Sequence, residues 1–200
     1  MTKSKLVVLI SGSGSNLQAL LDACEAGTLP AKILLVVSNK ASAYGLRRAE
    51  SRRIPTAIFK RRKNVDRRDY DEELGRFIAA LEPDWVILAG WMHLLSMNFL
   101  RYFPGRVVNL HPALPGQFPG THAIERAFEA FRQGDIEQTG IMVHVVPDEG
   151  VDDGPVLATE IVPIEPDDTL EALEQRIHAT EHRLLVETVR RLISGELHPG

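Results

Sequence analysis

Leu6-Val7-Val8-Leu9-Ile10 is an unbroken apolar run of strand length, and Ser11-Gly12-Ser13-Gly14-Ser15-Asn16 follows it directly. No polar residue alternates through the run, so neither face of such a strand is left to water. A strand of this kind needs cover on both sides, which is the situation of a parallel sheet layered between helices. Beyond the Gly/Ser segment, Leu17, Leu20, Leu21 and Cys24 recur at helical spacing, and Gly27 closes the pattern. The first unit is therefore strand, glycine turn, helix.

The same alternation continues. Strands are expected at 33–37, 56–59, 85–89 and 107–110, and helices at 43–51, 66–81, 96–102 and 121–133, with Pro83 and Gly134 as stops. The rhythm then changes. The β runs 141–146 and 156–162 have no ordinary helix between them, so they predict a mixed or antiparallel edge. Asp167-Asp168-Thr169 caps a long final helix reaching Ile193, with Gly195 as its stop. The expected fold is α/β, doubly wound and Rossmann-like. Its mostly parallel sheet has about seven strands and an antiparallel C-terminal edge. The 200 residues suit one domain spanning residues 1–200.

A charged fraction of 25% and a net charge of −4 give no reason to expect a nucleic-acid partner. One cysteine, Cys24, excludes an intramolecular disulfide and fits a reducing compartment. It lies in an apolar helical pattern, so a packing role is expected. No run is long enough for a membrane span and none looks like a signal peptide, so the expected setting is cytoplasmic. The one strong local field is Lys60-Arg61-Arg62-Lys63 with Arg67 and Arg68, either a solvated loop or a site for anionic ligands.

The Gly/Ser loop opens a helix, where exposed backbone amides and the helix dipole favour a phosphate. Gly12 and Gly14 fit G-x-G, but Leu17 stands where the dinucleotide fingerprint needs its third glycine, and no Gly-Lys-Ser/Thr follows. One monophosphate is the expected ligand; a simple capped turn is the plainer alternative.

Asn109-Leu110-His111-Pro112 ends a β-branched run and enters a Pro/Gly-rich loop, so it lies at a strand's carboxyl end, where open α/β sheets bind ligands. When an amine attacks a formyl or other acyl carbon, the carbonyl becomes an oxyanion, and each preorganised donor aimed at it is worth about 3–4 kcal/mol. Asn109 can donate through its amide. His111 can donate as an imidazolium if a carboxylate, Asp152 or Asp153, raises its pKa. Asparagine is a poor metal ligand and no compact His/Cys/Asp set appears, so no metal is expected. A loop histidine beside a turn aspartate is the alternative.

These residues closely resemble those of the folate-dependent glycinamide ribonucleotide formyltransferases. The resemblance runs from Leu6 to about Glu187. It rests on Val8 through Ala19, Ser38-Asn39-Lys40, Leu88-Ala89-Gly90-Trp91-Met92, Asn109-Leu110-His111-Pro112 and Asp152-Asp153-Gly154-Pro155. It implies a formyltransferase fold and transfer of a formyl group from 10-formyltetrahydrofolate, as co-substrate, to the amine of glycinamide ribonucleotide in de novo purine biosynthesis. It implies that Asn109 and His111 stabilise the oxyanion and that Asp152 pairs with His111. Gly14, Ser15, Asn16 and Glu181 would hold the ribonucleotide. Arg67, Met92, His93, Leu94, Leu95 and backbone groups of Val143 would meet the folate. The partners are small molecules, and the chain would act as a monomer or homodimer.

The chain departs from that family's pattern at Met92-His93-Leu94-Leu95 and at His111-Pro112-Ala113-Leu114-Pro115-Gly116, with Gln117 where a basic residue is common. Related deformylases and methionyl-tRNA formyltransferases usually carry extra domains and are disfavoured. A noncatalytic phosphate-binding module is the rival of another class. His144 reads as a structural or supporting histidine, His122 as a partner or a surface cap, and His178 and His182 as a packed or solvated helix face.

Overall fold

The computed structural model describes residues 3–198. Seven strands form one sheet in the order β3-β2-β1-β4-β5-β6-β7. They are β1 (Ser4–Ile10), β2 (Ala31–Ser38), β3 (Thr56–Ile58), β4 (Trp85–Leu88), β5 (Val107–His111), β6 (Gln138–Val145) and β7 (Val156–Pro163). β1 to β5 pair in parallel, whereas β6 and β7 pair antiparallel. The helices are α1 (Ser15–Glu25), α2 (Tyr44–Ser51), α3 (Arg67–Ala79), α4 (Met97–Leu100), α5 (Ala123–Gln133) and α6 (Leu170–Ile193). The expected architecture is the observed one.

The opening run shows why. Leu6, Val8 and Ile10 enter a core shared with Leu17, Leu20 and Leu21 of α1 and Leu173, Ile177 and Leu185 of α6. Val7 and Leu9 enter a second core with Tyr70, Leu74 and Ile78 of α3 and Phe99 of α4. All five residues of the run are 0% exposed. Side chains alternate across a strand, so an apolar run without alternation feeds both layers. Cys24 packs against the first core, and burial pushes its thiol up to about 11, which keeps it un-ionised at neutral pH.

Three boundaries differ from expectation in ways that matter for the site. β5 runs on through His111, because that residue still pairs with Met142 of β6. The histidine is therefore fixed by the sheet, not carried on a loop. α5 starts at Ala123 because His122, in the left-handed region at φ 59, caps it. α4 is shorter than the pattern predicted, and the chain beyond it turns tightly through Tyr102 N–H to the Phe99 carbonyl and Phe103 N–H to the Leu100 carbonyl.

The strand order reverses between β1 and β4, so the loops leaving their carboxyl ends part and open a crevice. Ser11 N–H donates to the Gly90 carbonyl at 3.0 Å, and Met92 N–H donates to Ser11 Oγ at 2.9 Å. These bonds tie the two loops together at the floor of the crevice.

Candidate active site

The Gly/Ser loop turns sharply into α1. Gly14 is the N-cap, at φ 72, and no side chain caps the helix. A Cβ on Gly14 would lie 2.6 Å from Gly45 Cα, so the turn packs backbone to backbone on the start of α2. The Gly12 carbonyl accepts Gly45 N–H at 3.2 Å, and Arg48 Nε donates to the Ser13 carbonyl at 2.9 Å. With its shape held from behind, the loop presents α1's first-turn amides to a cleft of about 360 Å³.

Asn16 and Glu181, distant in sequence, meet in this cleft. Asn16 Nδ2 donates to Glu181 Oε2 at 3.2 Å, and both side chains are buried. His178 Nδ1 reaches the same carboxylate oxygen at 2.9 Å. The Glu181 contact outweighs the burial of His178 and raises its pKa, favouring the imidazolium. Lys40 lines the cleft too. His178 and Lys40 were not among the expected ligand contacts. The signal for His178 was its place one turn before Glu181, on the same face of α6.

The second cleft, of about 560 Å³, is walled by Leu88, Met92, His93, Leu94, Leu95 and Val151. The Met92–Leu95 segment is pinned at both ends, by Ser11 Oγ and by Asp71, whose Oδ2 accepts Ser96 N–H at 2.7 Å. Met92 and Leu94 keep half their surface exposed toward this cleft, a normal signature of an apolar ligand wall.

Asn109, His111, His144 and Asp152 meet in this wall. Asp152 Oδ1 accepts Asn109 Nδ2 at 3.0 Å and lies 3.5 Å from His144 Nε2. Its Oδ2 accepts Gly120 N–H at 2.9 Å and faces His111 Nδ1 at 3.2 Å. Asp152 sits in the left-handed region, at φ 53, a conformation aspartate tolerates better than most residues. Burial alone would raise its pKa, but contacts from His144, Gly120 and His111 outweigh burial and hold it below the usual carboxylate range.

This geometry corrects the expected charge on His111. Burial lowers its pKa by more than Asp152 raises it, so the resting imidazole is neutral. The Asp152 contact favours a proton on Nδ1, while Nε2 is buried. His144 is a further member of the cluster, and its Nδ1 faces the Val145 carbonyl at 2.9 Å. Its Nε2 lies 3.1 Å from Asn109 Nδ2. Asn109 Nδ2 thus lies within hydrogen-bond distance of both His144 and Asp152. The signal for His144 was register, since it pairs across the sheet with Asn109.

Two residues expected to meet the folate lie outside the side chains that wall this cleft. Val143 is fully buried in the sheet between β5 and β7 and is absent from the cleft wall. Arg67 also lies outside the wall and pairs with Glu149 at 2.5 Å, beside the loop that carries Asp152. His122 lines the cleft mouth with an exposed ring paired to Glu125 at 2.9 Å. Among the described residues, no group of three or more His, Cys, Asp or Glu is placed to hold a metal ion, and no helix is long and apolar enough to cross a membrane.

A doubly wound sheet with two ligand clefts at its switch point, one walled by a carboxylate–imidazole pair, is the frame of a group-transfer enzyme. Residues 4–189 match the family model described as Formyl transferase, and the chain belongs to that family. It is 47% identical to a phosphoribosylglycinamide formyltransferase of Schizosaccharomyces pombe, over 96% of this chain and 98% of that protein. It is 42% identical to the trifunctional purine biosynthetic protein adenosine-3 of Drosophila melanogaster, over 96% of this chain and 14% of that protein. The crystal structure of glycinamide ribonucleotide transformylase 1 from Symbiobacterium toebii superposes with a TM-score of 0.90 at 38% identity, covering 97% of this chain and 89% of that one. Within the family, its relatives are thus the phosphoribosylglycinamide formyltransferases.

Proposed function

We propose that the protein transfers the formyl group of 10-formyltetrahydrofolate to the free amine of glycinamide ribonucleotide, a step of de novo purine biosynthesis carried out in the cytoplasm. The observation that carries this reading is that the two clefts share a wall. Gly90, Met92, Leu110, Pro112 and Ile124 line both, so a phosphate-bearing acceptor and a flat, largely apolar donor seated there would touch. The α1 amides, Lys40 and His178 would receive the acceptor's phosphate, and Glu181 its polar end. The wall from Met92 to Leu95 would receive the pterin.

Holding both substrates in contact makes the attack effectively unimolecular. The amine adds to the formyl carbon and the carbonyl becomes an oxyanion, which Asn109 Nδ2 stabilises. His111 takes the proton released from the nitrogen. The imidazolium, now paired with Asp152, then supplies the proton that lets the folate nitrogen leave as the carbonyl reforms. Charge on His111 arises during the reaction, and this is consistent with a resting site that keeps it neutral.

A folate-release assay with purified protein tests the reading. Tetrahydrofolate should appear only when glycinamide ribonucleotide is present. Release without the nucleotide would identify a hydrolase, and binding without release a passive module.

The pH dependence follows from the His111 shift. Its pKa is lowered from 6.5, and its base form is the active one. kcat/KM for the donor, at saturating nucleotide, should rise with pH through a value below 6.5 and stay level at neutral pH. A decline as pH rises through that value would mean that a resting imidazolium is required.

A further inference from the structure

No side chain caps α1, so the shape of the turn that opens it is imposed from outside the loop. α2 grips two successive peptides of that turn. The Gly12 carbonyl accepts Gly45 N–H at 3.2 Å, and the Ser13 carbonyl accepts Arg48 Nε at 2.9 Å. In a trans peptide the carbonyl and the N–H point opposite ways. With both carbonyls drawn back onto α2, Ser13 N–H and Gly14 N–H turn away from it, on the side where these residues line the cleft of about 360 Å³. The first grip is made by backbone alone. The second depends on one side chain.

That side chain also reaches past the loop. Arg48 Nη1 donates to Gln18 Oε1 at 3.0 Å, and Gln18 Nε2 donates to Asp22 Oδ1 at 2.7 Å, so the amide is held with its oxygen toward the arginine. One guanidinium thus spans Ser13, just before the N-cap, and Gln18, a turn into α1. Its own helix holds it as well: the guanidinium carbon lies 4.9 Å from the ring centroid of Tyr44, one turn back. The stem follows the back of the loop, with Cδ 3.6 Å from where a Cβ on Gly14 would stand. Arg48 is half-buried, whereas its neighbour Arg47 is exposed. It does not line the cleft, so its effect on a ligand there passes through Ser13 and Gln18.

We propose that Arg48 is the positioning residue of the phosphate loop: by holding the Ser13 carbonyl and the first turn of α1 in one fork, it aims the loop's N–H groups at the acceptor's phosphate. The inference rests on the acceptor assignment above. A lysine cannot take its place, because an ammonium is a point donor without the planar fork or the flat face that lies on Tyr44. A role as charge alone would be served by either cation.

The test is calorimetric binding of glycinamide ribonucleotide, and of the same riboside without its phosphate, to the native protein, Arg48→Lys and Arg48→Met. The native protein should bind the ribonucleotide more tightly than the riboside. Both variants should lose roughly tenfold of that margin, the scale of one hydrogen bond to a charged group, with riboside affinity held within about twofold. KM for the ribonucleotide should rise by the same factor, and kcat should move far less. Gln18→Met leaves α2 intact and should shrink the margin in the same direction, by less, because the Ser13 bond survives. A margin that survives in Arg48→Met overturns the proposal, and so does a native margin in Arg48→Lys, since charge would then be enough. An equal loss for riboside and ribonucleotide overturns it too, because the arginine would then be supporting the cleft as a whole. Each of these results leaves the acceptor assignment in place. A native protein that binds neither ligand, or both alike, overturns the assignment of the phosphate and this inference with it.

Discussion

Asp152→Asn is expected to reduce kcat by about a thousandfold to ten-thousandfold, the scale seen when a carboxylate that orients a catalytic imidazole becomes an amide. The native carboxylate accepts from Asn109 and Gly120 and faces His111 Nδ1. An amide presents one oxygen and one donor to three donors. Whichever way it turns, its NH2 opposes the Asn109 amide, Gly120 N–H or the His111 Nδ1–H. If it opposes Nδ1, the favoured tautomer moves the proton to Nε2, and the imidazolium formed in the reaction loses its carboxylate partner. Asparagine tolerates the left-handed backbone at 152 as well as aspartate does, so the loop should hold and the loss should be chemical. Nucleotide affinity should stay within about twofold, because Gly14, Asn16 and Glu181 lie in the other cleft. Single-turnover formyl transfer and nucleotide titration on the same preparation check both halves. A variant with near-native turnover would remove Asp152 from the mechanism.

The second large effect is expected from Gly154→Ala, which alters no chemical group. A Cβ at residue 154 would lie 2.0 Å from the Val145 carbonyl oxygen and 2.8 Å from Pro147 Cδ. The first is backbone at the end of β6, where Val145 N–H also donates to the Pro155 carbonyl at 2.9 Å. The strand cannot yield cheaply, so the loop has to move, and Asp152 moves with it. The same carbonyl orients His144 through Nδ1, so one added methyl disturbs both partners of Asn109. A displacement of about 1 Å at a catalytic group costs on the order of a hundredfold in rate. kcat should fall by about that factor, with far-UV circular dichroism unchanged and thermal stability only modestly reduced. Full activity would show that the loop absorbs the methyl without shifting Asp152.

Much of the fold was legible because local rules carry it. The unbroken run Leu6–Ile10 required cover on both faces, and the loss of helix alternation after Gly134 announced the antiparallel edge. The pairing of Asn109, His111 and Asp152 was legible only through the family resemblance, since nothing local to Asp152 distinguishes it from Asp153. In the structure, Asp152 points into the cluster, whereas the Asp153 carboxylate packs where a side chain on Gly150 would go. His144 and His178 escaped a linear reading because their partners are brought by sheet register and by the docking of α6.

By itself, then, the sequence determined the layers, the strand types and the glycine turn that opens α1. These follow from side-chain alternation, helical periodicity and the chemistry of each residue, and they act over a few neighbours. Only the tertiary structure decided the charge on His111, the meeting of Asn109 with His144 and Asp152, and the pairing of Arg67 with Glu149 beside the Asp152 loop. Burial sets the first, because removing an imidazole from water penalises its charged form by an amount that depends on everything packed around it. The other two depend on distances between segments far apart in the chain, and those are fixed only when the sheet closes its register and the loops cross its edge.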